Sequence, residues 1–248
     1  MEETAITTTI GEIVRGDHEI FPPYLYEAYQ STRRRAPIMP LIDVPLTLSE
    51  ITGPGPVISA VTREDADLTR NAGTGGEAIG QRIIVTGRVL DAQGSPVPNT
   101  LLEIWQCNAA GRYIHRRDQW PGPLDPNFLG IGRCLTDADG VYRFLTIRPG
   151  AYPWKNHANA WRPAHIHFSL FGASWLSRLI TQMYFQDDPL FFQDPIFNAV
   201  PTAQARSRMV ARYDHDVTEP EWALGWRWDI GLGGPDAKPF EPQRGGQP

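Results

Sequence analysis

Apolar and polar residues alternate along several short segments of this chain, a pattern typical of β-strands that cover a core with one face. Such strands are predicted at residues 82–90, 100–107, 132–136, 141–147, 164–170, 178–186 and 225–232. Gly and Pro, 23 of each, punctuate the chain between these segments. Because strands and helices do not alternate along the chain, the pattern favours an all-β fold, a β-sandwich core with long loops.

Two of these segments carry further detail. The run Asp137-Ala138-Asp139-Gly140 has the residues of a tight turn, which predicts a hairpin between the strands at 132–136 and 141–147. Only its first residues resemble a calcium loop, because the later ligand positions are missing. The last strand is predicted to be half-buried, with Arg227 and Asp229 on the solvent face and four residues on the core face: Trp226, Trp228, Ile230 and Leu232.

The chain divides into three parts by composition. Residues 1–80 are broken by prolines and form a predicted N-terminal arm that packs on the core or on a partner chain. Residues 81–232 are the predicted β-sandwich domain, and residues 233–248 are a Gly/Pro-rich, extended tail. One or two short helices are expected, the first over 24–35 with the cations Arg33–Arg35 near its C-terminus and the second over 202–213, capped by Thr202.

Composition and charge exclude several classes of protein. A net charge of −5 argues against a surface that binds nucleic acid throughout. No apolar run approaches the roughly 20 residues that cross a bilayer, and the acidic start has no apolar stretch of a secretory signal. Cys107 and Cys134 are too few for a disulfide framework, so free thiols and a cytoplasmic location are expected.

The segment Ala164–Leu170 carries the first candidate chemistry. Its apolar residues alternate with His165, His167 and Ser169, so the two imidazoles leave the same face of a strand about 6.6 Å apart. Two such rings could bind one metal ion, although a histidine at either position could equally serve as a surface or hydrogen-bonding residue.

Two tyrosines in turn-flanked loops are candidate partners of these histidines. Tyr113 follows a predicted strand, and Tyr152 follows Pro149-Gly150. Loops on a rigid sheet commonly carry functional residues. The motifs Cys-x-x-Cys and His-Glu-x-x-His are absent from the sequence, which leaves a structural zinc site unsupported. His115 and His157 are expected to be loop residues without a ligand role, and Asp187-Asp188 before Pro189 is expected to cap a turn.

Three sequence runs together resemble the intradiol ring-cleaving dioxygenases. They are "GRYIHRRDQWPGPLDPNFLGIGRCLTDADG", "IRPGAYPWKNHANAWRPAHIHFSL" and "LITQMYFQDDPL". The likeness covers roughly residues 80–232. It is specific because two tyrosines and two histidines agree in type, order and spacing: 39 residues from Tyr113 to Tyr152, 13 more to His165 and two more to His167.

The resemblance implies a mononuclear non-haem Fe(III) bound by Tyr113, Tyr152, His165 and His167. Phenolate ligands suit a ferric ion, because a bound high-valent cation strongly favours the ionised form of a phenol. Fe(II) enzymes that activate oxygen directly use two histidines and a carboxylate instead. The ligand set therefore points to activation of the organic substrate. The resemblance further implies that Tyr152 dissociates from the metal to accept a substrate proton.

The resemblance also assigns residues around the implied metal. Arg162 matches an arginine that stabilises negative charge on the substrate, and Gln182 and Trp154 match residues of the substrate pocket. Tyr29 matches a tyrosine near the substrate, although Tyr24 or Tyr26 could be the equivalent. From the sequence alone, Gln182 could equally be a strand residue paired with the backbone, and Trp154 could be an ordinary core residue.

Likeness to the protocatechuate-cleaving members implies ring opening between the hydroxylated carbons with O₂, giving 3-carboxy-cis,cis-muconate in aromatic catabolism (the β-ketoadipate pathway). It further implies an α-type chain of the same enzyme as partner in an α/β hetero-oligomer. Catechol or hydroxyquinol is the alternative substrate, but those relatives usually carry an N-terminal helical domain that the proline-broken arm disfavours. Two other interpretations remain: a transthyretin-like binding module with structural histidines, and a catalytically silent relative, which the intact residues disfavour.

Overall fold

A computed structural model describes residues 20–40, 42, 53–155, 160–172 and 178–239 of the 248-residue chain. Regular structure in these ranges is mainly β-strand. The strands are β1 (Arg82–Leu90), β2 (Leu101–Trp105), β3 (Ile131–Leu135), β4 (Val141–Ile147), β5 (Tyr152–Trp154), β6 (Ala160–Arg162), β7 (His165–Phe171), β8 (Arg178–Phe185), β9 (Val210–Tyr213), β10 (Leu224–Arg227) and β11 (Ile230–Gly231). The α-helices are α1 (Thr32–Arg35), α2 (Gly55–Ile58), α3 (Pro195–Ala199) and α4 (Ala203–Arg208).

Strand β1 organises one half of the sandwich. Strand β4 pairs with it antiparallel along one edge, and β10 and β11 pair with it in parallel along the other. Strand β9 then connects β10 to the second half, which continues in the order β8, β7, β2, β3. Strands β5 and β6 form a separate two-stranded sheet.

The core lies between the two halves. Phe168 of β7 packs edge-on against Phe144 of β4, with ring centroids 5.8 Å apart, and lies 4.9 Å from the ring of Trp228. Each large ring buried in this way removes on the order of 150–250 Å² from water, so these contacts dominate the packing. The predicted all-β sandwich fold is confirmed.

Strand β7 departs from the expected half-buried pattern. Its apolar face, Ala164, Ile166, Phe168 and Leu170, joins the core as predicted. The opposite face is also covered, because His165 and Ser169 are fully buried and only His167 remains partly exposed. The two histidines therefore lie inside the molecule and not on an open sheet surface.

The first predicted helix is wrong over most of its length. Only Thr32–Arg35 is helical, and the residues before it form turns. The Thr32 hydroxyl bonds to the Tyr26 and Tyr29 carbonyls and also accepts the Tyr26 N–H. These side-chain bonds satisfy backbone groups in a turn and so compete with helix formation.

The second predicted helix is right only in its first half. Thr202 caps it as predicted, accepting the Ala205 N–H at 3.1 Å. The helix ends at Arg208, however, and Val210–Tyr213 forms strand β9 between β8 and β10. Ladder bonds on both sides of β9 outweigh the weak local preference for helix.

The predicted hairpin at Asp137–Gly140 is a turn without a paired hairpin. Asp137 accepts the backbone N–H groups of Asp139 and Val141, both at 2.9 Å, and Gly140 has a φ of 70°. The flanking strands then separate: β3 pairs with β2, whereas β4 pairs with β1 in the other half. The turn therefore carries the chain from one half of the sandwich to the other.

The predicted strand at 225–232 is interrupted at Trp228-Asp229. The Trp228 N–H donates to the Thr86 carbonyl, and the Asp229 carboxylate accepts the Arg88 N–H at 2.9 Å in place of a backbone carbonyl. Gly87 lies opposite this break, where a Cβ atom would stand 1.9 Å from the Trp228 carbonyl oxygen. Three of the four predicted core residues are buried, but Leu232 is exposed.

The described part of the arm contacts the sandwich. Leu68 is fully buried in the core, and its N–H donates to the Leu145 carbonyl at 2.9 Å.

The domain boundaries at 80 and 232 stay predictions. The tail begins with a 3₁₀ turn at Gly234–Asp236 where an extended segment was expected, and residues 240–248 lie outside the described ranges. None of the helices described is long and apolar enough to span a bilayer.

Both cysteines are free, as predicted, and both are buried. Burial raises the pKa of the Cys107 and Cys134 thiols to about 12. We expect Ellman's reagent at pH 8 to leave both thiols of the native protein unmodified, more than about 1,000-fold slower than a free thiol, because only the thiolate reacts. Both thiols should react once guanidinium unfolds the chain. Rapid labelling of either one in the native state would contradict this burial.

Candidate metal centre

Two glycines allow the tyrosine-bearing loops to meet. At Gly111, where φ is 75°, a Cβ atom would lie 2.6 Å from the Ala151 carbonyl oxygen. At Gly150 it would lie 2.4 Å from the Ala109 carbonyl oxygen. Since each position excludes a larger residue, the loop before Tyr113 packs directly on the turn before Tyr152. Tyr152 itself opens the short strand β5, a correction to its expected place in a loop.

The imidazole of His165 lies between the two tyrosine hydroxyls. Its Nδ1 lies 2.7 Å from the Pro163 carbonyl oxygen, and because a carbonyl only accepts, Nδ1 carries the proton. Nε2 therefore presents its lone pair, 3.5 Å from the Tyr113 hydroxyl and 3.4 Å from the Tyr152 hydroxyl. A second-shell bond that fixes the tautomer in this way is typical of metal-binding histidines.

His167 lies next to His165 in the same cluster. Its ring stacks on Trp105 with centroids 4.8 Å apart, at an angle of 6°, and lies 4.9 Å from the His165 ring. Its Nδ1 is buried and has no hydrogen-bond partner within the described ranges. A buried imidazole nitrogen without a partner is costly unless something else binds there.

The four side chains thus form one cluster. The Tyr113 ring lies 5.6 Å from the Tyr152 ring and 6.4 Å from the His167 ring, centroid to centroid. In the part of the chain that the structure describes, no group of three or more His, Cys, Asp or Glu residues is placed to hold a metal ion. A metal site at this cluster would therefore depend on the two phenol oxygens.

Burial sets the protonation of the cluster in the metal-free chain. Loss of hydration raises the pKa of Tyr152 to about 12 and that of Tyr113 well above its ordinary value. The same loss, together with the nearby Arg162 charge, lowers the pKa of His167 to about 3 and that of His165 well below its ordinary value. At neutral pH the cluster therefore has two neutral imidazoles and two protonated phenols.

Arg162 adds a buried cation beside the cluster. Strand pairing sets Arg162 of β6 opposite Tyr152 of β5. The guanidinium is fully engaged along one edge: Nε donates to Asp194 at 2.9 Å, and Nη2 donates to the side-chain oxygen Oε1 of Gln182 and to the Tyr184 hydroxyl. This is a buried ion pair, since Arg162 is 3% exposed and Asp194 is not exposed.

Aromatic residues enclose the same region. The Arg162 guanidinium lies over Trp154, 5.6 Å from the ring centroid, and Tyr29 packs edge-on against that ring at 5.3 Å. Tyr29 is 8% exposed, and the Arg35 guanidinium lies over the Tyr29 ring, 4.6 Å from its centroid. Tyr29, one of the three tyrosines considered in the arm, therefore lies against Trp154.

The remaining candidates lie as follows. Gln182 is buried beside His167 on the neighbouring strand, and its side chain belongs to the Arg162 network. His115 is exposed on a loop, where its Nδ1 accepts the Arg117 N–H. Asp188 caps a turn by accepting the Leu190 N–H at 2.9 Å, as expected. His157 lies outside the described residues.

Comparison with known proteins decides the family. A family model described as "Dioxygenase" matches residues 51–234. The chain is 56% identical over 220 residues to a protein named protocatechuate 3,4-dioxygenase beta chain, from Burkholderia cepacia, with 89% of this chain and 93% of that protein covered. The chain belongs to the intradiol ring-cleavage dioxygenase family. It is therefore an enzyme of that family, and the binding-module interpretation is wrong.

Two further similarities lie within the same family. A protein named protocatechuate 3,4-dioxygenase alpha chain, also from Burkholderia cepacia, is 30% identical over 166 residues, covering 66% of this chain and 78% of that protein. The solved structure of hydroxyquinol 1,2-dioxygenase from Pseudomonas putida DLL-E4 is 27% identical with a TM-score of 0.49, covering 62% of this chain and 57% of that chain.

Sequence reasoning missed three residues of this intradiol dioxygenase site. Trp105 supports the His167 ring, and Tyr184 and Asp194 hold the Arg162 guanidinium. Tyr184 follows Gln182 by two residues and so shares its face of β8, which is a usable signal. Asp194 before Pro195 has the pattern of a helix N-cap, but nothing local indicates that its carboxylate also reaches an arginine.

Proposed function

We propose that this chain cleaves the aromatic ring of protocatechuate between its two hydroxylated carbons, using O₂, to give 3-carboxy-cis,cis-muconate in aromatic catabolism. The observation that carries the proposal is the meeting of two tyrosine hydroxyls within 3.5 Å of His165 Nε2. The 56% identity to a protocatechuate 3,4-dioxygenase beta chain across nearly its full length supports the choice of substrate.

A mononuclear non-haem Fe(III) fits the residues present. Tyr113, Tyr152, His165 and His167 would hold it, because His165 Nε2 is unprotonated and faces both tyrosine hydroxyls, and the buried His167 Nδ1 has no described partner. Two phenolates would offset most of the ferric charge in a site that disfavours uncompensated charge. When bound, the ferric ion would stabilise the doubly deprotonated catechol, whose electron-rich ring is open to attack by O₂.

The protein residues would manage protons and charge. Tyr152, ionised while it holds the metal, would accept one of the two catechol protons at Oη, and a solvent hydroxide would accept the other. Burial raises the pKa of the free Tyr152 phenol to about 12, so its phenolate is a strong base. The Arg162 guanidinium would stabilise the negative charge that develops on the substrate during oxygen attack. Because its position is fixed before the reaction by Asp194 and Gln182, this stabilisation needs no reorganisation of the site.

The pocket walls would orient a flat substrate and keep water out. Trp154 and Tyr29 pack against each other beside Arg162, so they offer an aromatic surface next to the cation. Gln182 would complete the pocket floor beside His167. An enclosed site of low polarity strengthens each electrostatic contact made to the reacting atoms.

An α-type chain of the same enzyme would complete the assembly. Beta-chain and alpha-chain relatives are both similar to this sequence, which supports an α/β hetero-oligomer. Across the described residues between 20 and 80, the helices are four-residue α1 and α2 and the 3₁₀ turn Glu64–Ala66, and these do not make a helical dimerisation domain. The cytoplasmic location remains a prediction.

A visible absorption spectrum tests the proposal directly. The iron-loaded chain, co-expressed with its α-type partner, should show a tyrosinate-to-Fe(III) charge-transfer band that shifts when protocatechuate is added without oxygen. Admitting O₂ should then consume substrate and restore the first spectrum. Catechol and hydroxyquinol serve as comparison substrates, and faster turnover of either would replace the substrate assignment. A protein that stays colourless after ferric loading would overturn the proposal.

A further inference from the structure

The carboxylate of Asp194 lies at the centre of a buried network behind the candidate metal centre. One of its oxygens, Oδ1, accepts the Ile196 N–H at 2.9 Å and so caps helix α3. The other, Oδ2, accepts from Arg162 Nε at 2.9 Å and from the Tyr184 hydroxyl at 3.0 Å. The carboxylate is thus anchored to backbone on one side and holds a cation on the other.

Tyr184 closes this network. Its oxygen lies 3.0 Å from Arg162 Nη2 and 3.1 Å from the Gln182 side-chain oxygen, in addition to its bond to Asp194. Its ring is fixed by Phe197, whose centroid lies 5.0 Å away. Four buried polar side chains therefore satisfy one another, an arrangement that rigidifies a core when every member is paired.

The network holds the guanidinium along one edge only. Nε and Nη2 are occupied, whereas Nη1 has no hydrogen-bond partner among the described residues. The flat face lies over Trp154. A guanidinium has five donors in a rigid plane, so fixing one edge determines where the remaining donors point.

Resting on the proposed function, we infer that Asp194 is a positioning residue for ring cleavage: with Tyr184, it fixes the direction of the Arg162 donors that meet the developing negative charge. Asp194 also partly offsets the Arg162 charge, which by itself would weaken stabilisation of an anion. The gain in rate from holding the guanidinium in place outweighs this weaker stabilisation, because a displacement of about 1 Å in a catalytic group costs on the order of 100-fold in rate.

The test uses the full-length, iron-loaded chain with its partner. Asp194→Asn keeps the side-chain shape and the helix cap but removes the negative charge that pairs with Arg162. We expect kcat to fall about 10- to 100-fold, while iron content and the anaerobic affinity for protocatechuate, measured by the band shift, stay within about 3-fold. Asp125→Asn is the matched control, since Asp125 is also buried but, among the described residues, accepts backbone N–H groups, those of Ile79 and Asn127, and no arginine.

A double-mutant cycle separates positioning from general destabilisation. If Asp194 acts through Arg162, adding Asp194→Asn to an Arg162→Gln enzyme should change kcat by less than about 3-fold. A purely structural role for Asp194 would lower the melting temperature and kcat in both backgrounds. Persistence of the full kcat loss in the Arg162→Gln enzyme would therefore overturn the inference, as would an unchanged or raised kcat in Asp194→Asn alone.

Tyr184→Phe decides the matter if Asp194→Asn does not fold. It removes one hydroxyl and leaves the ring packed on Phe197, so the expected loss of kcat is smaller, about 3- to 10-fold. An unchanged kcat in this variant would then overturn the inference. Failure of the proposed function is distinguishable, because in that case the unmodified protein itself would lack the charge-transfer band and the turnover.

Discussion

Replacing His165 by alanine is expected to remove iron binding and ring cleavage together. His165 Nε2 is the atom that both tyrosine hydroxyls approach, and its Nδ1 is fixed by the Pro163 carbonyl. Loss of an outer partner of a metal ligand costs about 10- to 100-fold, so loss of the ligand should exceed about 100-fold in metal affinity. Iron content, the charge-transfer band and kcat/KM measure this effect.

His115→Ala is the matched control for this variant. His115 lies only two residues after Tyr113, but it is exposed, and its Nδ1 accepts the nearby Arg117 N–H. Iron content and activity should therefore stay within about 2-fold of the unmodified protein, as is usual for surface substitutions. Retention of iron and colour by the His165→Ala protein would contradict the assignment of His165 as a ligand.

Replacing Gly87 by alanine is expected to have the largest effect on stability. The new Cβ atom would stand 1.9 Å from the Trp228 carbonyl oxygen, a backbone atom that cannot rotate away as a side chain could. Moving the Trp228 carbonyl away from the new methyl group would strain two hydrogen bonds. These are the bond from the Trp228 N–H to the Thr86 carbonyl and the 2.5 Å bond that the Tyr142 hydroxyl donates to the Trp228 carbonyl. We expect the free energy of unfolding to fall by about 3 kcal/mol or more.

Thermal denaturation measures this loss as a melting temperature lower by roughly 6–12 °C for a chain of this size. Gly55→Ala is the control, because no atom lies within 4 Å of a Cβ atom there and its φ is ordinary. That variant should melt within about 1–2 °C of the unmodified protein. Equal melting temperatures for the Gly87 and Gly55 variants would show that β1 and the Trp228 segment can separate at small cost.

The accuracy of the strand predictions depended on whether local residues decide the structure. Strands β1 and β4 have the predicted bounds, since turn residues end both segments. Strand β9 was predicted as the end of a helix because its partners, β8 and β10, are distant in sequence. The break at Asp229 was also unpredictable, because it depends on an N–H of Arg88 in another strand.

The same distinction applies to the candidate site. The tyrosines and histidines form a recognisable pattern because their spacing along the chain is itself characteristic of the family. Arg162, by contrast, reaches Asp194 across 32 residues and Tyr184 across 22, and no local pattern records such a contact. The candidate metal ligands were therefore predictable, whereas the residues that hold Arg162 in place required the three-dimensional structure.

Because β1 pairs in parallel with β10 and β11, one edge of β1 stays unpaired during synthesis until the C-terminal part of the chain has been made. Strand β4 covers one edge of β1 as soon as residue 147 emerges, but the other edge waits for Leu224, 77 residues later. At about 5–20 residues per second, that interval lasts roughly 4–15 s. During this time the nascent chain exposes an apolar strand edge, the kind of surface that chaperones protect from aggregation.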